Sequence, residues 1–467
     1  MRLAALRALA PSAFAGRARA RPAGDDAPSA PGGALLRLRL HGWLDPVVVA
    51  LAFTSMAVGF GQFGAVAALG DVARSFGRVT HGATIAEQAG LSGTELGIGL
   101  AILRLASVAS LPLTGIADRF GRRRMLFASC ALGLCLTVAA AASPGYWWFV
   151  AIFALGRPLL STASALAQVT AAEQTDTRNR ARAIALIAAG YGVGSGLTAV
   201  INSLASSSLG FRGLFALAAV PLVLLPLAAR QVSEPDRFVV AATAAERPMP
   251  VIGALGPEFR RRLVVVAAIS FTIAVMTGPA NSFVYLYSEN VLRVPGLVVA
   301  LMVVAAGVTG FGGLVLGQWL ADRAGRRPTG ALTMIAMALL AMLTYSGSRP
   351  ALVVGYVLGV MAASAFAPAA GALANELFPT SVRASVAGWE VVASVLGAVV
   401  GLLAFGAIAD VGNRFSIAAV VVFAVAIPAA ALFWFLPETR GLEPEELWPD
   451  PGPGAPAGDE SPKVASS

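Results

Sequence analysis

Two arginines, Arg104 and Arg157, lie inside long apolar stretches of the sequence. Each is about 11 or 12 residues from the start of its stretch, which at roughly 1.5 Å per helical residue is near the centre of a lipid bilayer. An arginine left unpaired there costs on the order of several kcal/mol, so each must face a water-filled cavity or a partner. Two hypotheses remain open. The arginines bind an anionic or carbonyl-bearing ligand or couple to a protonating acid, or they pair with acids and carbonyl groups between helices.

Three acidic residues next to apolar stretches are candidates for proton binding. Glu390 lies about six residues inside one stretch, Glu95 stands at the start of the stretch that contains Arg104, and Asp71 follows the first stretch. Burial disfavours the charged form of a carboxyl group, so such a group can take up a proton. The alternatives are that Glu390 pairs with cytoplasmic arginines and that Glu95 is an interfacial residue.

Further polar and aromatic side chains could bind a polar ligand. Asn281 and Tyr285 are four residues apart and therefore share a helix face, and Pro279 just before them predicts a bend. Three other candidates lie in apolar stretches: Gln62, Tyr191 and Trp389. For each of these side chains, packing between helices is the alternative interpretation.

The composition excludes several classes of protein. The two cysteines and two histidines are too few for a disulfide scaffold, a multi-cysteine metal site or a zinc hydrolase. No G-x-x-x-x-G-K-[ST] loop is present, which disfavours an ATP-driven pump. We therefore expect no catalytic residues, no metal and no cofactor.

The apolar stretches themselves predict an all-α integral membrane protein. Hydrophobic residues make up 57% of the 467 residues and charged residues only 13%, whereas a membrane-crossing helix needs about 20 mainly apolar residues. Twelve spans, numbered one to twelve below, satisfy this requirement: 46–70, 92–115, 125–143, 146–169, 183–205, 213–229, 263–287, 296–320, 330–347, 350–373, 385–409 and 415–435.

The basic residues predict how these spans are oriented. Of the 34 arginines and lysines, 26 lie in the terminal segments and the loops after even-numbered spans, and six lie in the opposite loops. The positive-inside rule therefore places both termini in the cytoplasm of a multi-pass protein of the cell membrane. The same distribution explains the net charge of +9 without nucleic acid as a partner.

The predicted domains follow from the spans. Residues 1–45 form an Arg-rich cytoplasmic tail, 46–229 a first six-helix bundle, 230–262 a cytoplasmic linker, 263–435 a second bundle and 436–467 a second tail. Residues 1–45, and residues 449–467 within the second tail, are expected to be disordered.

Two cytoplasmic loops repeat between the bundles. Asp118 and Gly121 after span two are matched by Asp322 and Gly325 after span eight, 204 positions later. After spans four and ten, a glutamate and an arginine seven residues apart recur 203 positions later, as Glu173 with Arg180 and as Glu376 with Arg383. Two loops that agree in spacing and side indicate a duplicated six-helix unit.

These residues resemble a known family. Gly115–Arg124 resembles the loop signature of the major facilitator superfamily, and Glu376–Arg383 and Pro437–Gly441 are similar to signatures of its sugar-porter and metabolite:proton-symporter branches. The sequence departs from those branches after span four, where no matching Pro follows, and after span six, where Glu234-Pro235 stands. The resemblance implies two pseudo-symmetric six-helix bundles with a ligand site between them near mid-membrane.

The resemblance also implies a cytoplasmic gate and latch, in which arginines pair with glutamates when the protein faces outward. Its expected members are Gly115, Asp118, Arg119, Gly121, Arg122, Glu173, Arg180, Asp322, Gly325, Arg326, Glu376, Arg383, Glu438 and Arg440. The alternative is that these charges only set the orientation of the spans.

The leading hypothesis is a monomeric secondary active transporter that works by alternating access. Its expected partners are a small polar metabolite, such as a carboxylate or a sugar-like solute, protons carried in symport, and the lipid bilayer. The alternatives are a proton antiporter that exports drugs or metabolites, and a non-transporting membrane sensor on the same fold.

Overall fold

The protein is described by a computed structural model over residues 45–80, 85–175, 180–232, 257–378, 380–411 and 414–440. Over these residues it is helical, without a β-strand. The predicted tails, apart from residues 45 and 436–440, and the linker from 233 to 256 lie outside the described residues. Eleven described helices have the length and apolar character to cross a membrane: Pro46–Ala67, Gly93–Ala117, Arg122–Ala140, Tyr146–Ala172, Arg182–Ala229, Arg260–Val291, Gly296–Arg323, Arg326–Thr344, Arg349–Ala374, Val386–Asp410 and Phe415–Phe435.

The 48-residue helix Arg182–Ala229 contains both span five and span six. At about 1.5 Å per residue it would be more than twice as long as a bilayer core is thick. Gly210, with φ 56° and ψ −175°, interrupts it between the two spans. After this break, Arg212 donates to the carbonyl of Ser143 at one end of span three, and Arg123 at the other end donates to the carbonyl of Ala229. Residues 212–229 therefore run the length of span three, as a separate crossing.

Several helices begin at residues whose side chains satisfy the free backbone N–H groups of the first turn. Asp45 accepts from the N–H of Val47 before span one, with Pro46 at the first helical position. Ser92 and Glu95 form a capping box at the start of span two, and Ser348 caps span ten. These caps explain why the observed starts agree with the predicted ones to within a few residues.

Helix packing follows the same scheme in both halves. Span one packs along span five and span three along span four; in the second half, span seven packs along span eleven and span nine along span ten. The halves meet where span two packs on span eleven and span five packs on span eight. Large apolar side chains remain exposed on the outside, among them Val223, Val308 and Phe311, as expected for a surface that faces lipid.

Span seven bends later than its proline predicts. The helix Pro257–Ser282 continues through Pro279 and ends three residues beyond it. A short turn and the π-helical turn Tyr287–Val291 follow. The hydroxyl of Tyr345 donates to the carbonyl of Ala280 at 2.8 Å, which ties the region before the break to span nine.

Candidate functional site

Gln62 is the centre of a polar network inside the first half, and it is only 5% exposed. Its side-chain amide donates to Ser161 Oγ at 3.1 Å and accepts from the Tyr191 hydroxyl at 3.0 Å. Its backbone carbonyl accepts from Arg157 Nη1 at 2.8 Å, while Arg157 Nε donates to Ser107 Oγ at 3.3 Å. The structure thus joins three of the predicted ligand-binding residues across spans one, two, four and five.

Arg104 lies close to this network but is not bonded to it. It lies near Arg157 and Tyr191, yet it makes no hydrogen bond or ion pair within the described part of the chain. No described acidic side chain faces either arginine. Two adjacent guanidinium groups without a carboxylate create a strongly positive site in a medium of low polarity.

A second group of predicted residues lies in the other half. The hydroxyls of Tyr285 and Tyr356 are 3.2 Å apart, and the ring of Tyr285 makes an edge contact with Phe63, with 5.9 Å between the ring centroids. Phe63 follows Gln62 in span one. The tyrosine pair is therefore one aromatic contact away from the polar network of the first half.

A cavity of about 400 Å³ adjoins the tyrosine pair between spans seven, nine and ten. Asn281, Thr344, Tyr356 and Ser364 supply polar groups to its wall, which is otherwise mostly apolar. Asn281 donates to the carbonyl of Thr277 in its own helix. A pocket of this size and lining suits a small ring compound that carries hydroxyl groups.

Glu390 lines a second cavity of about 310 Å³ between spans seven, ten, eleven and twelve. Its Oε1 atom is buried and has no hydrogen-bond partner within the described residues. Thr277 borders both cavities. Glu390 is thus an acid next to the cavity beside the tyrosine pair, in the half opposite to that of the two arginines.

Three other predicted residues are not brought to these cavities. Trp389 is 40% exposed and lines neither of them. Glu95 accepts from Ser92 in the capping box, and Asp71 forms an ion pair with Arg74 beyond span one. These contacts give Glu95 and Asp71 structural roles at the ends of helices.

In the second half, the motif after span eight contains an ion pair of the kind expected for the gate and latch. Arg326 Nη2 lies 2.7 Å from Glu376 Oε1, and the carboxylate of Glu438 accepts from the backbone N–H groups of Arg326 and Arg327 at 2.9 and 3.0 Å. Asp322 lies in the last turn of its helix, and Arg440 donates its backbone N–H to Glu438. The side chains of five motif residues lie outside the part of the chain that is described: Asp118, Arg119, Glu173, Arg180 and Arg383.

Sequence reasoning missed several residues of the site. Ser107, Ser161, Tyr356 and Ser364 carry hydroxyl groups within apolar spans, as do many other residues of this chain. No spacing or motif distinguishes them, because their importance comes from neighbours on other helices. Within the described residues, no group of three or more His, Cys, Asp or Glu side chains could hold a metal ion.

Known proteins match the whole of this helical arrangement. The sequence profile of the Major Facilitator Superfamily matches residues 49–343 and 296–458. The chain belongs to the major facilitator superfamily. As a member of that superfamily it is a multi-pass membrane transporter and not an enzyme, which confirms the predicted family, fold class and absence of enzymatic function.

Curated relatives and a solved structure agree with this assignment. A probable 4-methylmuconolactone transporter of Cupriavidus pinatubonensis is 24% identical over 77% of this chain and 85% of its own length. The gallate transporter of Pseudomonas putida is 25% identical over 68% of this chain and 77% of its own length. The inward-open xylose transporter of E. coli shares the fold with a TM-score of 0.65 and 20% identity, covering 86% of this chain and 98% of its own.

Proposed function

We propose that this transporter carries a small organic carboxylate with a ring across the cytoplasmic membrane, by alternating access and in symport with protons. Both termini lie in the cytoplasm, and a single chain forms the pathway. The observation that carries the proposal is the pair Arg104 and Arg157, which lies within spans two and four of the first half and faces no described carboxylate. An anionic ligand would supply the missing negative charge.

The two arginines have different roles in binding the ligand. Arg157 is fixed by Gln62 and Ser107, so its remaining donors are held in place before the ligand arrives. Arg104 has no described protein partner, so its planar fork of N–H groups is available to a carboxylate, which it can bind through two parallel hydrogen bonds.

The ring of the ligand lies between the arginines and the cavity of the second half, where it packs against Phe63 and Tyr285. Hydroxyl groups on the ring then point toward that cavity, whose wall offers the hydroxyls of Tyr356 and Ser364. Gallate is a hydroxylated aromatic carboxylate, and methylmuconolactone is a ring compound with a carboxyl group. The names of two relatives therefore support the same chemical class.

Glu390 is the proposed proton-coupling residue. It is an acid beside the ligand cavity, and its buried Oε1 has no described partner. A carboxyl group in that position can bind a proton when the cavity faces outward and release it when the cavity faces inward.

Uptake into proteoliposomes tests this proposal. We expect gallate or a hydroxyphenyl carboxylate, but not xylose, to accumulate when the lumen is more alkaline than the outside, and a protonophore to abolish the accumulation. Accumulation driven by an acidic lumen would indicate the antiporter instead. Saturable binding without flux in either direction would indicate the non-transporting sensor.

A further inference from the structure

The outer end of the molecule, opposite the Arg-rich loops, is joined by a carboxylate that crosses from one half to the other. Asp410 is the last residue of the span-eleven helix, in the second half. Its Oδ1 accepts from the N–H of Gly93 at 2.5 Å, and its Oδ2 accepts from the N–H of Thr94 at 2.7 Å and from the Thr94 hydroxyl. Gly93 and Thr94 begin the span-two helix, in the first half.

The physical basis of this contact is the free N–H groups at a helix start. These groups carry a partial positive charge that favours an anion. The span-two helix already has a cap from its own half, since Ser92 accepts from the N–H of Glu95. Asp410 satisfies two of the remaining donors, so it joins the halves while the helix keeps its own cap.

The backbones of the two helices touch at the same place. An ideal Cβ atom on Gly406 would lie 2.3 Å from the carbonyl oxygen of Gly93, and one on Gly97 would lie 2.7 Å from the carbonyl oxygen of Leu402. No side chain larger than glycine fits at either position while the outer face stays closed. At the opposite end, the ion pair of Arg326 with Glu376 stays within one half.

We infer that Asp410 is the latch of the outer face, which holds the two halves together there and must release the start of span two before the site can open outward. This inference rests on the alternating access of the proposed function. None of the three groups that donate to the Asp410 carboxylate is ionisable. Its strength therefore depends on the charge of one carboxylate and on the orientation of one helix.

Distances between spin labels on the two halves test the latch without any substrate. Labels are placed at exposed outer positions, Trp148→Cys in span four and Ile417→Cys in span twelve, in a chain that carries Cys135→Ala because Cys135 is exposed. We expect Asp410→Ala to raise the ratio of separated to closed outer ends by roughly tenfold, because it loses charge-assisted hydrogen bonds. Asp410→Asn, which keeps an acceptor oxygen but not the charge, should give an intermediate ratio and serves as the milder variant if Asp410→Ala folds poorly.

Two further variants make the result decisive. Ser92→Ala weakens the cap of the same helix from within its own half, so it should leave the distances unchanged; an equal separation in this variant would reduce Asp410 to an ordinary helix cap and overturn the latch. Gly406→Val forces the outer ends apart by its bulk. If Gly406→Val separates them and Asp410→Ala does not, the latch is wrong and the transport proposal stands. If no variant separates them, the latch and the alternating access both fail.

Discussion

A guanidinium group inside a bilayer can bond to the protein or remain available to a ligand, and the half-buried Arg104 and Arg157 differ in this respect. Arg157 donates two hydrogen bonds, to Gln62 and Ser107, so it also holds three helices together. Arg104 donates no hydrogen bond to the described residues. In the proposed site, Arg157 therefore contributes to the structure as well as to binding, and Arg104 is available mainly for the ligand.

This difference predicts different effects of the same substitution. Arg104→Gln should weaken substrate binding by roughly 10- to 100-fold, the equivalent of one charged hydrogen bond worth about 1.5–3 kcal/mol, and leave the melting temperature unchanged. Arg157→Gln should weaken binding and also lower the melting temperature by several degrees. Ligand binding to purified protein and thermal unfolding measure the two effects. A loss of stability in Arg104→Gln with full binding would contradict the assignment.

Glu390 is expected to affect coupling rather than binding. Glu390→Gln cannot release a proton, so accumulation driven by a pH gradient should be lost. Exchange of labelled for unlabelled substrate across the membrane, which needs no net proton movement, should continue at a comparable rate. Counterflow and gradient-driven uptake in the same proteoliposomes measure both, with wild-type protein plus a protonophore as the reference. Gradient-driven uptake that persists in Glu390→Gln would remove this residue from the coupling mechanism.

At the scale of helices, the duplicated loops after spans two and eight carry the clearest local constraint. Gly121 and Gly325 have φ angles of 97° and 106°, a region that is favourable only for glycine. Gly121 is the single residue between two helices, and Gly325, which follows Ala324, directly precedes the next helix. The repeat in the sequence therefore corresponds to a repeated tight reversal of the backbone.

Replacing Gly325 should be costly for two separate reasons. An alanine there would adopt an unfavourable φ, and its Cβ would lie 2.8 Å from Glu438 Oε2. We expect Gly325→Ala to destabilise the protein by about 1–3 kcal/mol and to lower its melting temperature. Gly192→Ala, inside a helix with no neighbour within 4 Å of its Cβ, is the matched control and should be neutral or slightly stabilising. Equal melting temperatures for the two variants would argue against this explanation.

At the scale of the whole molecule, Gly210 decides the topology. Because the chain is interrupted there and residues 212–229 run along span three, Arg182–Ala229 is expected to cross the membrane twice, which gives twelve crossings. We then expect reporters fused to the N-terminus and to the C-terminus to be both cytoplasmic. Two reporter enzymes measure this, one that is active only in the cytoplasm and one that is active only outside it. Chain termini on opposite sides of the membrane would mean eleven crossings.

The sequence was sufficient for features that depend on composition and local spacing. The apolar spans exist because a helix in lipid must be apolar over about 20 residues, so even the short spans three and nine were recognised, and each is a 19-residue helix. Arg326 and Glu376 were likewise predicted members of the gate and latch, because each stands in a loop that resembles a family motif, although the sequence left open which glutamate pairs with Arg326.

Only the tertiary structure decided which polar residues meet. Gln62, Arg157 and Tyr191 were each candidates, but their bonds join helices that are far apart in sequence. Tyr356 and Asp410 gave no signal of their own, since a tyrosine in a span and an aspartate at its end are ordinary until the facing helix is known. The physical reason is that side-chain contacts between spans depend on helix rotation and depth, which the apolar pattern of a lipid-facing helix leaves undetermined.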